Sequence, residues 1–256
     1  MEIVLENITV NNKKEQLFNI TTTIKPSLTG IYGKGYSLFI DLLLGKIPIT
    51  KGTMVFKNDQ VEEYYPVIKC LDFKKTPTFN AINMKEEAKK VNILRVEKAL
   101  KLVGLSSEFL TLPFYKMALS NKKKCMLALT LLSKFDVLIL NGIIDSFDYR
   151  NKKFLLQLFK RLKERENKII IFATDDVNFI YTQLDNVLIF KNNKLILDGK
   201  TDDIFTQVRL FKENELDIPE LVKFTDKVRS NKKIKLGFHK DVRDLIKDIY
   251  KRVDFK

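Results

Sequence analysis

The sequence of 256 residues is short of the residues that build stapled or metal-held domains. It has two cysteines and one histidine, His239. Cys70 and Cys125 stand far apart and no C-x-x-C occurs, which argues against a disulfide framework and against a zinc site, and fits a reducing cytoplasm. No apolar run approaches the roughly 20 residues that cross a bilayer. The opening Met1-Glu2-Ile3-Val4 lacks the charged and apolar regions of a signal peptide, so the expected location is cytoplasmic, with any membrane reached through another subunit. Glycine and arginine are scarce while lysine and asparagine abound, a bias that an A+T-rich genome produces as readily as selection for anion binding.

What is present supports a folded chain. Hydrophobic residues make up 45% of the sequence, enough for one α/β domain with a small appendage. The 46 Lys+Arg against 32 Asp+Glu give a net charge of +14, which favours anionic partners or a solvated basic surface. The basic residues are dispersed and not interleaved with aromatics in a nucleic-acid-binding module, so no nucleic-acid partner is expected.

Ile3, Leu5, Ile8 and Val10 alternate with polar residues and Ile20 to Ile24 repeats the habit, predicting antiparallel strands exposed on one face. Leu28 to Tyr32 reads as a buried strand. It leads through Gly33-Lys34-Gly35 into an apolar helix from Ser37 to Leu44 closed by Gly45, the layout of a phosphate-binding unit. An amphipathic helix is expected over 84–103, a helix from Met126 to Leu132, a buried strand Val137 to Leu140, a helix from Arg150 to Lys163 and a strand Ile169 to Phe172. Strands alternating with helices imply a parallel sheet covered on both faces. Two closing strands, Val187 to Phe190 and Leu195 to Leu197, flank the turn Asn192-Asn193. Helices come next over Asp202 to Phe211, Ile218 to Val228 and Val242 to Val253.

In order and spacing these pieces resemble an ATP-binding-cassette (ABC) transporter ATPase, and the tail resembles the energy-coupling-factor (ECF) type. Leu28 to Lys34 looks like the strand and first glycine of that family's P-loop. Asp41 to Gly45 with Gly52-Thr53-Met54 looks like the helix and strand after that loop. Ala99 to Leu105 resembles the helix before the signature motif, Leu119-Ser120 stands where LSGGQ begins, and Val137 to Leu140 matches the apolar strand of Walker B. Asp148 matches the D-loop aspartate, and Leu195 to Gly199 the closing strand. Leu216 to Glu220, Lys235 to Phe238 and Asp241 to Tyr250 resemble the ECF tail. The resemblance implies an α/β P-loop NTPase-like domain over 1–212, with an antiparallel β subdomain and a helical subdomain at about 75–134, then a helical appendage over 213–256.

ATP hydrolysis in this family needs a glycine loop with a lysine, a hydroxyl on Mg²⁺, an aspartate for the metal and a base for the attacking water. Gly33-Lys34-Gly35-Tyr36-Ser37 is about three residues short of the P-loop. Tyr36 falls where the lysine belongs, Ser37 alone keeps the metal-binding identity, and Lys34 leaves from the wrong end of the turn. Asn141-Gly142 replaces the Asp-Glu pair, and Asp145 is offset by several residues. Asp175 replaces the switch histidine, setting an anion where the γ-phosphate would lie, and Asp72 occupies the Q-loop glutamine position. Leu119-Ser120-Asn121-Lys122-Lys123 keeps the signature serine without its glycines. Two roles are open to Lys122, Lys123 and Lys124: a contact with a partner's nucleotide, or a solvated helix start.

The resemblance therefore implies a pseudo-ATPase with no intact catalytic residue, for which the family's ATP and Mg²⁺ are doubtful ligands. Its implied partners are a second, competent ATPase subunit in a heterodimer, a transmembrane coupling subunit docked on Asp72 to about Lys90, and a substrate-capture membrane protein. The expected place is peripheral, on the inner face of the membrane. Two alternatives are a weakly ATP-binding subunit contributing to a composite site, and a basic protein reusing the fold to bind nucleic acid.

Overall fold

Side-chain alternation in the first strands sets one end of the molecule. In the computed structural model, which describes residues 1–11, 16–58, 64–74, 86, 92–232 and 235–252, β1 (Glu2–Asn11) pairs antiparallel with β2 (Gln16–Ile24). On its other side β1 pairs antiparallel with β4 (Lys51–Lys57). Ile3 and Leu5, then Ile8 and Val10, are fully buried on the inner face with a period of two; an irregularity between Leu5 and Ile8, where Asn7 has φ 51°, keeps both pairs on that face.

Among the described residues the second sheet has six strands in the order β5-β6-β7-β3-β8-β9: β5 (Ile68–Asp72), β6 (Val137–Asn141), β7 (Ile169–Ala173), β3 (Leu28–Gly33), β8 (Asn186–Lys191) and β9 (Lys194–Lys200). The first five are parallel and β9 closes the edge antiparallel to β8. Asn192 and Asn193 make the β8–β9 turn with φ of 49° and 61°, a conformation asparagine tolerates better than most side chains.

Alternation along the central strands feeds two cores. Leu138, Leu140, Ile170 and Phe172 join one with α3 (Leu119–Leu131), α4 (Tyr149–Glu166) and α5 (Val177–Gln183). Val137, Ile139, Ile169 and Ile171 join the other with α1 (Ser37–Leu43), β1 and β2. Truncating one such side chain to alanine costs about 2–5 kcal/mol. The antiparallel sheet is thus a lid on one face of the parallel sheet, and helices cover the other.

The amphipathic helix expected over 84–103 is described as α2 (Ile93–Leu102), capped by the Asn92 side chain; most of its expected first turns lie outside the described residues. The helix expected from Met126 begins seven residues earlier, at Leu119, because Lys123 and Lys124 turn into the fold and do not interrupt it. The stretch expected over Asp202 to Phe211 divides into α6 (Thr201–Phe205) and α7 (Val208–Glu213). The tail carries α8 (Glu220–Lys232) and α9 (Val242–Arg252). It is tied to β3 and to α5: Tyr32 Oη accepts from Asp217 N at 3.1 Å, and Asn178 Oδ1 accepts from Glu220 N at 2.8 Å. Among the described residues no helix is long and apolar enough to cross a membrane.

Candidate functional site

The carboxyl ends of β3, β5, β6 and β7 converge on one edge of the sheet, where open α/β folds hold their ligands. A pocket of about 260 Å³ lies there, lined by Gly35, Tyr36, Ser37, Asp72, Lys74 and Asn141 among others. Of these, Gly35, Tyr36, Ser37, Asp72 and Asn141 are positions that the sequence singles out for their chemistry. Lys34 is exposed and does not line the pocket.

The two glycines of the β3–α1 turn are committed to packing. Gly33 has φ +104° and a Cβ there would stand 1.9 Å from the Phe190 carbonyl oxygen, which accepts from Lys34 N at 3.0 Å. Gly35, at φ +94°, is pressed against the β8–β9 turn, where a Cβ would meet Asn193 Oδ1 at 2.0 Å and Asn193 N at 2.4 Å. Both positions demand glycine for conformation and for close approach to β8 and its turn. The turn lies along β8 and its hairpin, with no extra residues to wrap an anion.

Tyr36 then turns inward, 8% exposed, directly before α1. Its hydroxyl donates to Asn141 Oδ1 at 3.4 Å and accepts from Lys74 Nζ at 3.0 Å. Asn141 Nδ2 donates to Asp72 Oδ1 at 2.9 Å, a contact set by register, since Asp72 and Asn141 are partners across β5 and β6. Asp72 Oδ1 also accepts from Lys74 N at 3.0 Å. Lys74 Nζ reaches onward to Asp175 Oδ2 at 2.8 Å.

Asp175 is therefore paired, and the isolated anion expected from sequence is a partly neutralised one. With the two side chains 37% and 68% exposed, the ion pair is worth about 0–1 kcal/mol by itself. Burial alone would lower the pKa of Lys74; the hydrogen bonds it donates to Asp175 and Tyr36 outweigh that and hold the ammonium above the usual lysine range.

Gly142 comes directly after Asn141 with φ +72°, and a Cβ there would stand 3.0 Å from Lys74 Cγ. Its carbonyl accepts from Lys123 Nζ at 2.5 Å, and the same ammonium sits 5.1 Å from the centre of the Phe73 ring. Lys123 and Lys124 are 4% and 6% exposed. Burial lowers the pKa of both, opposed by Asp145 near the first and Asp148 near the second. Neither is part of a solvated helix start. Lys122, half-buried, packs its ammonium 5.9 Å from the Phe114 ring centre.

Three further carboxylates have local duties. Asp148 caps α4, accepting from Asn151 N at 2.8 Å, and Asp145 accepts from Thr174 Oγ1 at 3.1 Å. Asp176 caps α5 through Phe179 N at 2.9 Å and pairs with Lys152 at 3.0 Å.

The chain superposes on solved ABC ATPase structures. A bacterial Atm1-family ABC exporter superposes with a TM-score of 0.69 over 84% of this chain and 41% of its own, at 14% identity. The cbiO1 protein of Clostridium perfringens, described as part of the ABC transporter complex cbiONQ, superposes with a TM-score of 0.65 over 88% of this chain and 98% of its own, at 21% identity. The fold is that of an ABC ATPase domain.

In sequence the chain is related to ECF transporter ATP-binding proteins. The EcfA2 protein of Mycoplasmopsis pulmonis is 31% identical over 144 residues, 56% of this chain and 46% of that protein, and the Mycoplasmopsis synoviae EcfA2 is 29% identical over 136 residues, 53% of this chain and 43% of that protein. The match to these relatives spans about half their length. The Streptococcus thermophilus EcfA2 aligns over 88% of this chain and 90% of its own length at 25% identity. No family model matches the chain.

Of the other positions that the sequence singles out, Gly142 follows Asn141 directly, and Asp175 is joined to the pocket through Lys74. Leu119 and Ser120 open α3, Leu119 exposed and Ser120 half-buried, and Asn121 is half-buried beside them. The group that sequence reasoning missed is Lys74. Its signal was faint: a lysine two residues past the end of β5, with an unexplained aspartate at 175.

The pocket as it stands does not fit Mg²⁺·ATP: Tyr36 is buried just before α1, the glycines are pressed against β8 and its turn, and the Asn141 amide is spent on Tyr36 and Asp72.

Proposed function

We propose that this chain is a hydrolysis-deficient ABC subunit of an ECF-type importer, paired with a competent ATPase and docked on a transmembrane coupling subunit at the inner face of the membrane. The observation that carries the reading is Tyr36. It stands where the family's phosphate-binding lysine belongs, is buried, and is hydrogen-bonded to Asn141, which stands where the metal-binding aspartate belongs. One hydrogen bond joins two lost functions. The apolar framework around it is intact, which is the pattern of a fold retained for assembly.

By this reading the ABC domain spans 1–212 and the helical appendage 213–256. The docking surface proposed for the coupling subunit, Asp72 to about Lys90, falls mostly outside the described residues. A +14 net charge suits a subunit held beneath an anionic membrane face.

The test is purification of the complex from the native cell, with ATP hydrolysis then measured with and without inactivation of the co-purifying ATPase. The reading expects hydrolysis that disappears entirely when the partner's base is removed. Hydrolysis that persists at half its rate would assign a working site to this chain.

A further inference from the structure

Lys74 has an unusual reach. Its ammonium contacts Tyr36, 38 residues earlier in the chain, and Asp175, 101 residues later, so that three separate segments meet on one cation. The stem that carries it passes Gly142, where a Cβ would come within 3.0 Å of Lys74 Cγ. The backbone beneath is fixed as well: Phe73 N donates to Asn141 O at 2.8 Å and Lys74 N to Asp72 Oδ1 at 3.0 Å. Lys123 then holds the Phe73 ring from the helical side while binding the Gly142 carbonyl.

We propose that Lys74 is a resident cation that organises this site in place of nucleotide and metal, clasping the end of β5 to the β3–α1 turn and to the loop after β7. This rests on the reading of the chain as a subunit without nucleotide chemistry, and adds how such a subunit keeps its shape. The resemblance to an ABC ATPase implies that the segments after β3, β5 and β7 would there face a shared nucleotide. Here they are brought together by a side chain of the protein itself. The arrangement at the end of β5 is therefore the same at every stage of the partner's ATP cycle. Gly142 belongs to the same device, because a side chain at 142 would be strained at φ +72° and would press on the Lys74 stem, with Cβ 3.0 Å from Lys74 Cγ.

The experiment is hydrogen–deuterium exchange on the full chain, as wild type, Lys74→Met and Lys74→Arg, each with and without millimolar Mg²⁺·ATP. Circular dichroism melting confirms that each variant is folded. In the wild type, exchange over 36–40, 68–74 and 173–176 is expected to be the same with and without Mg²⁺·ATP. In Lys74→Met all three segments are expected to exchange about tenfold faster together, and Lys74→Arg to restore most of the protection. Slowing of these segments by Mg²⁺·ATP in the wild type would overturn the underlying reading of the site. An unresponsive wild type with Lys74→Met exchanging at wild-type rates, or faster around residue 74 alone, would overturn the clasp and leave that reading standing.

Discussion

The side chain of Lys74 runs past Gly142 so closely that a Cβ at 142 would stand 3.0 Å from Lys74 Cγ, at a position whose φ is already +72°. On the proposed reading, the residue at 142 and the Lys74 contact are therefore coupled. Restoring the Asp-Glu pair by the double substitution Asn141→Asp, Gly142→Glu is expected to produce no ATPase activity. It is also expected to destabilise the chain by about 1–3 kcal/mol through left-handed backbone strain and crowding. Phosphate release and urea unfolding measure the two effects; a gain of turnover with unchanged stability would contradict the account.

Gly33 and Gly35 are needed for packing, so their substitution is expected to act on stability. Gly33→Ala places a methyl 1.9 Å from the Phe190 carbonyl oxygen, and the neighbour is backbone that cannot rotate away. A loss of about 2–4 kcal/mol is expected for either alanine variant, read from the urea midpoint. Wild-type stability in Gly33→Ala would show that the loop does not lie against β8.

The fold was legible because its apolar pattern is strong where the chain is buried. Val137 to Leu140 and Ile169 to Phe172 fill both faces of a parallel strand, and Ile3 to Val10 alternates as a half-exposed strand does. The start of α3 was not, since three consecutive lysines break the apolar pattern from Met126 back to Leu119; two of them bury their stems and find partners inside the fold. At the site, the sequence singled out Tyr36, Asn141 and Asp72, and the structure brings these three together. Lys74 was not legible, because its meaning depends on contacts 38 and 101 residues away that no local pattern encodes.

Acid stability is expected to depend on Asp136. Its carboxylate accepts from Val67 N at 2.9 Å and faces Lys168 at 3.4 Å. Burial pushes its pKa up, but the Val67 amide, the Tyr64 hydroxyl and Lys168 together hold it below the usual carboxylate range. A carboxylate with a depressed folded-state pKa contributes stability that is present above its unfolded value of about 3.9 and is lost as pH falls through the folded value. Asp136→Asn is therefore expected to cost about 1–3 kcal/mol at neutral pH and to lessen the loss of stability below pH ~4. An unchanged acid limb in urea titrations would contradict this.

The two cysteines are expected to differ sharply toward thiol reagents. Cys125 is fully buried, beside Met117, and burial pushes its thiol up to about 12; Cys70 is half-buried at the pocket edge. Native chain at pH ~8 should lose Cys70 to a maleimide first, with Cys125 labelled only on unfolding. Mass spectrometry of the labelled peptides checks this, and prompt native labelling of Cys125 would contradict the core packing around α3.

The central claim, that this ABC fold has given up its own nucleotide chemistry, is tested most directly by titrating the purified chain with Mg²⁺·ATP in a calorimeter. The account predicts no saturable heat at any concentration up to millimolar. Saturable binding at micromolar ATP would mean that the Gly33–Ser37 turn releases β8 and its hairpin and that Tyr36 and Lys74 move aside to admit phosphate, and the account would be wrong.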